Sequence, residues 1–161
     1  MYITFDEYTA LYPPVEEIVF NRLSYDACHR IDQHTAGIDG VKKLKTAFPT
    51  DEDSAQAVKR CAAKIIYTLL QIHEAEVSAS MGRGYTQTEN GLQGKIVSSV
   101  SAGNESISFS SANEGASVID KSVSDLSVRE KLIRNIVREY LSGVQDANGV
   151  NLLYMGVYPR V

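Results

Sequence analysis

Apolar positions recur at helical spacing in three long segments. In the first they are Phe20, Leu23, Ala27, Cys28 and Ile31, steps of three and four that mark one helical face. In the second, Val58, Ala62, Ile65, Leu69 and Ile72 form the stripe, supported by Cys61 and Leu70. No Pro or Gly interrupts residues 51–78, so this helix would run ~40 Å. In the third, Leu132, Ile133, Ile136, Val137 and Tyr140 line a face. The core is expected to pack through Leu23, Ile31, Val58, Ile65, Leu69, Ile136 and Val137.

Start and stop signals bound these segments. Thr4-Phe5-Asp6-Glu7 has capping-box spacing and predicts a short helix from about Phe5 to Leu11. Pro13-Pro14 ends it, and Pro14 is expected to open the next helix, with Glu16 and Glu17 in its first turn. Ala36-Gly37 stops that helix after Thr35. Thr50-Asp51-Glu52-Asp53 starts the long helix, with Thr50 as its cap. Ser127-Val128-Arg129-Glu130 starts the last one, and Gly143 closes it.

Between the long helix and the last one the pattern changes. Residues 79–94 hold Gly82, Gly84, Gly91 and Gly94 with few apolar groups, as in a loop or extended arm. Lys95–Ser101 and Glu105–Ser110 read as two strands about Ala102-Gly103-Asn104, with Ile96 and Val100 alternating on one and Ile107 and Phe109 on the other. Serine dominates as far as Ser127. After Gly143 a turn at 146–149 leads to Leu152-Leu153-Tyr154-Met155-Gly156-Val157-Tyr158. Extended, this tail would put Leu153, Met155 and Val157 in one row and Leu152, Tyr154 and Tyr158 in the other. The alternative is a tail folded back over its own bundle. The predicted fold is therefore mainly α: a helical bundle over 1–161 as a single domain, a hairpin arm at 79–110 and an extended docking tail at 144–161.

The chain has 161 residues, 43% of them hydrophobic and 22% charged, the make-up of an ordinary folded domain. Its formal net charge of −4 argues against tight duplex-DNA binding, which takes a basic excess. No apolar run approaches a membrane span, and the N-terminus has no basic-then-apolar leader pattern. Two cysteines are too few for a disulfide framework and fit a reducing compartment.

The chemistry-bearing residues form no catalytic pattern. His73-Glu74 lacks a second His at position 77, which is Val77. His29 and His34, five apart on a helix, make a poor ligand pair. Cys28 and Cys61 read as packing residues. Gly82-Arg83-Gly84 is not followed by the Lys and hydroxyl of a phosphate loop. The expectation is a protein that is not an enzyme and needs no cofactor or metal. Lys131, Arg134 and Arg138 form a basic stripe that is either solvated, with Glu130 pairing to Arg134, or faces a channel or an acidic partner.

The order of these features resembles the head–tail connector, or adaptor, proteins of tailed bacteriophages and prophages. Carrying the resemblance are Ile31-Asp32-x-x-Thr35-x-Gly37, the stretch Gly94-Lys95-Ile96 to Ser106-Ile107-Ser108-Phe109-Ser110, Tyr140-Leu141-Ser142-Gly143, and Asn151 to Val157. The resemblance implies a homo-oligomeric ring, usually of twelve subunits, in the virion neck beneath the portal and assembled in the host cytoplasm. Its partners would be the portal protein and a neck, stopper or tail component. DNA would pass through without sequence-specific contact, and no membrane is involved. Portal docking would fall to Leu152, Leu153, Tyr154, Met155, Gly156, Val157 and Tyr158, and subunit contacts to Ile96, Val100, Ile107 and Phe109. From another class, the alternative is a non-enzymatic bacterial scaffold or protein-binding oligomer; an enzyme ranks third.

Overall fold

The computed structural model describes residues 1–80, 85–88, 91–101, 106–111 and 117–159, with side chains over 1–77 and 117–159. The chain is mainly helical. Its helices are α1 (Phe5–Thr9), α2 (Glu17–Thr35), α3 (Lys43–Thr46), α4 (Glu52–Ser80), α5 (Val118–Ser124) and α6 (Leu126–Leu141). Two compact units emerge, one of Met1–Leu69 with Ile133–Val161, the other of Leu70–Leu132.

In the first unit α2, α4 and α6 supply the core. Leu23, Ile31, Val58, Ile65, Leu69, Ile136 and Val137 are all buried, as the three matched periodicities require. On α4, Ala62, Ala63 and Ile66 are buried as well, so the helix is covered over most of its circumference between Val58 and Leu69. α1 adds Tyr8, which stacks with Tyr12 and meets Phe20 at 5.4 Å between centroids; Tyr12 in turn stacks on Tyr67 at 4.8 Å. Burial, with Tyr140 next in weight, pushes the Tyr12 phenol up to about 12.

Helix starts follow capping chemistry more closely than they follow proline. Thr4 and Glu7 form the capping box of α1. α2 begins at Glu17, not Pro14: its first capping carbonyl is that of Glu16, which accepts from the amides of Val19 and Phe20. α4 is capped by Asp51, not Thr50, since the Ser54 amide donates to the Asp51 carboxylate at 2.9 Å. At α6, Asp125 accepts from the Ser127 amide at 2.7 Å and takes the role expected of Ser127. Gly143 closes α6 at φ 80°, a conformation that favours glycine.

These caps make stability acid-sensitive. Hydrogen bonds from Ser54 to Asp51 and from Ser127 to Asp125 hold both carboxyls below their ordinary 3.8, and Lys59 at 2.5 Å holds Glu7 below 4.5. Depressed folded-state values mean stabilisation that is complete above the unfolded values and lost as pH falls through the folded ones. Melting temperature should therefore stay level above about pH 5 and drop below about pH 4. The drop should be shallower in a Glu7→Gln/Asp51→Asn/Asp125→Asn variant, measured by thermal melts across that range.

The second unit carries the end of α4, three strands and α5. Strands β1 (Tyr85–Thr88), β2 (Gly91–Ser101) and β3 (Ser106–Ser111) pair antiparallel in the order β1-β2-β3. β1 falls in the stretch expected to be a loop or extended arm. Register shifts between Val97 and Ser99: Val100 stands opposite Ile107, but beyond the shift Val97 rather than Ser98 stands opposite Phe109. The side chains of Ile96, Val100, Ile107 and Phe109 lie outside the described residues. α5 falls in the serine-rich stretch where no helix was expected; Ser117 and Asp120 form its capping box. Arg129 donates to Glu76 and to the Ser122 carbonyl.

Candidate functional site

The connector at 37–49, unremarkable as sequence, organises the tail. It contains α3, whose Lys43 is fully buried. Its ammonium donates to the carbonyls of Asn151 at 3.2 Å, Leu152 at 3.0 Å and Tyr154, and stands 5.7 Å from the Tyr154 ring centroid. Burial lowers the Lys43 pKa from its ordinary 10.5, and the Asp146 and Asp39 carboxylates partly offset this.

Convergence of these carbonyls on one cation corrects the extended tail. In a strand, neighbouring carbonyls point to opposite edges and cannot meet at one point. Here the Tyr154 amide donates to the Asn151 carbonyl at 3.0 Å, and that turn curls the backbone around Lys43. The Leu152 amide donates to the Val144 carbonyl at 2.9 Å, and Gln145 bridges Asn151. The two expected rows are therefore absent. Leu152 and Tyr158 are buried in the tail's own unit, Leu153 and Gly156 are half-buried, and Tyr154, Met155 and Val157 are exposed.

A second polar lock closes the far end. Asp146 accepts from the amides of Asn148 and Val150, both at 2.9 Å, and from the Tyr158 hydroxyl at 2.6 Å. The Asn148 amide group donates to that same hydroxyl at 2.9 Å. Burial, followed by the bond to Asp146, raises the Tyr158 phenol. The Tyr158 amide donates to Asp39 at 3.0 Å, and the Ile38 amide to the Gly156 carbonyl at 3.4 Å. Gly37 is needed here because a Cβ would lie 2.8 Å from the Gly156 carbonyl oxygen. A Cβ on Gly156 would in turn strike the Tyr154 ring.

The motif residues Ile31, Asp32, Thr35 and Gly37 thus have local roles. Ile31 is core, and the Thr35 hydroxyl donates to the Ile31 carbonyl at 2.8 Å. Buried Asp32 accepts from the Tyr2 hydroxyl and meets Lys45 at 3.3 Å. Burial and that hydrogen bond push the Tyr2 phenol well above its ordinary value.

Beside the tail lies a cleft of about 300 Å³ lined by Gln33, His34, Arg134, Val137, Arg138, Leu153 and Met155. Two members of the basic stripe, Arg134 and Arg138, come together here, both exposed at the cleft mouth. Lys131 is exposed and does not line the cleft.

Burial pushes the Cys61 thiol up to about 12 and also raises Cys28, so neither supplies a thiolate near neutral pH. His29 is exposed, and His73 stands 4.0 Å from Glu76. Among the described residues no group of three or more His, Cys, Asp or Glu could hold a metal, and no helix is long and apolar enough to cross a membrane.

Sequence reasoning missed Lys43, Asp39 and Asp146 as determinants of the site. The Asp-Ala-Asn-Gly turn at 146–149 was a usable signal for Asp146, because Asp in a turn favours bonding the amide two residues on. Comparison with protein-family models, curated proteins and solved structures gives no match.

Proposed function

We propose that this chain is a docking subunit of a larger assembly, specifically a head–tail connector of a tailed bacteriophage or prophage. In this reading copies form a ring at the virion neck, the tail clasp meets the portal, and residues 79–110 act as an arm toward neighbouring subunits or the next neck component. One observation carries the reading. Met155 and Val157 are 63% and 65% exposed on a backbone held by Lys43 and Asp39, beside Ile38 at 79%. Large apolar groups presented on a rigid frame are what an interface needs, because little entropy is lost when they dock. The order of sequence motifs supplies the particular class of assembly. The negative net charge suits a channel protein, since a strongly basic lining would retain DNA through its phosphates.

The test separates docking from folding. A Met155→Ser/Val157→Ser variant should melt within ~0.5 kcal/mol of the parent, because both sites are exposed. Its attachment to portal-bearing heads, made from the neighbouring capsid and portal genes, should fall at least about tenfold in co-sedimentation, with empty necks in electron micrographs. Normal attachment would overturn the docking role of the tail.

A further inference from the structure

We propose that the cleft between α2, α6 and the tail binds a partner-protein segment that inserts one aliphatic side chain and flanks it with Asp or Glu. The inference rests on the docking role above and names the chemistry of what docks. Arg134 and Arg138 sit one turn apart on α6, both exposed at the cleft mouth. Like charges at that spacing disfavour the helix. No Asp or Glu lines the cleft, although acidic residues outnumber basic ones in the chain as a whole, 20 to 16.

The walls decide what else enters. Buried Val137, half-buried Leu153 and exposed Met155 supply apolar surface, while Gln33 and His34 of α2 supply polar groups. About 300 Å³ admits one or two side chains and is near the lower end of pocket sizes that bind small ligands. Met155 adapts to different aliphatic shapes, because its side chain is unbranched and polarizable. Guanidinium groups pair with carboxylates through two parallel hydrogen bonds, so two of them at the rim can hold an acidic residue on either side of the inserted group.

Nucleic acid fits less well. No Phe, Tyr or Trp lines the cleft to stack a base, and three of its seven lining residues are apolar. The occupant is therefore assigned as protein.

Titration of the full chain, followed by amide, arginine Nε–H and methionine methyl NMR signals, tests this. The probe is a blocked peptide, acetyl-Gly-Asp-Leu-Glu-Gly-amide. Saturable shifts are expected at Arg134, Arg138, Leu153 and Met155, with affinity at least about tenfold weaker in an Arg134→Glu/Arg138→Glu variant. If that variant loses its native amide spectrum, Arg134→Gln/Arg138→Gln takes its place with the same expectation. No saturable shift up to about 5 mM peptide would overturn the assignment. So would an equal response to a peptide with Lys at both acidic positions. Shifts with a short DNA duplex but not with the acidic peptide would make the cleft a phosphate site and also overturn it. Because the titration uses the chain alone, its failure alongside lost head attachment in the Met155→Ser/Val157→Ser variant rejects the cleft assignment and leaves the docking role standing. Peptide binding with no change on Met155→Ser/Val157→Ser in head attachment would do the reverse.

Discussion

Replacing Lys43 by methionine should lower the unfolding free energy by about 2–4 kcal/mol. Methionine matches the side chain as far as Cε and keeps its apolar stem, so the change isolates the ammonium. What is lost is one donor serving the carbonyls of Asn151, Leu152 and Tyr154. Hydrogen bonds from a charged donor contribute about 1.5–3 kcal/mol each, but exposed neighbours let water reach some of these carbonyls. The total is therefore well short of three full bonds. Relief of the buried charge offsets a further part, since burial already disfavours the cation. Urea unfolding gives the magnitude. Hydrogen exchange locates it: the Leu152 and Tyr154 amides should lose protection before the centre of α4 does. A midpoint within error of the parent would mean that the ammonium does not hold the tail.

Ending the chain after Gly149 should be more damaging still, by more than about 5 kcal/mol. Leu152 is fully buried and Tyr158 nearly so, and removing large buried side chains costs about 2–5 kcal/mol apiece. The same truncation strips Lys43 of the Asn151, Leu152 and Tyr154 carbonyls and leaves its ammonium without those acceptors. It also removes the amide and hydroxyl that Tyr158 donates to Asp39 and Asp146. These losses share neighbours and will not add simply. Against a usual domain stability of ~5–15 kcal/mol, the truncated chain should show weak or absent cooperative melting by circular dichroism. A parent-like melt would place the tail outside the folded unit. The result also bears on function, because a truncation that unfolds the unit cannot report on docking, whereas the exposed Met155 and Val157 can be changed without touching the lock.

Much of the helical frame was legible in the chain. A helix that buries one face must repeat its apolar residues every three or four positions, and Leu23, Ile31, Val58, Ile65, Leu69, Ile136 and Val137 do so and are buried. The misjudged boundaries have local causes. Pro14 can open a helix, yet the carbonyl of Glu16 is the first to accept helical amides. Serine-rich composition concealed α5, although Ser117 and Asp120 have capping-box spacing. One inserted residue near Val97 shifts the β2–β3 register, and alternation alone cannot reveal a bulge.

The candidate site was legible only in its ingredients. Arg134 and Arg138 are a pair by helical spacing, and the tail is conspicuous for its apolar content. Which tail residues turn inward was decided elsewhere. Alternation assigns faces only to an extended chain, and this tail curls because Lys43, more than 100 residues earlier, gathers its carbonyls. A lysine among Lys42, Lys43 and Lys45 reads as solvated, since nothing local supplies it with acceptors. The sequence by itself determined the helices and the core, because periodicity and capping act over a few residues. Only the tertiary structure decided the tail clasp and the cleft, because their partners meet across distant segments: Gly37 against Gly156, Asp39 against Tyr158, and α2 and α6 against Leu153 and Met155.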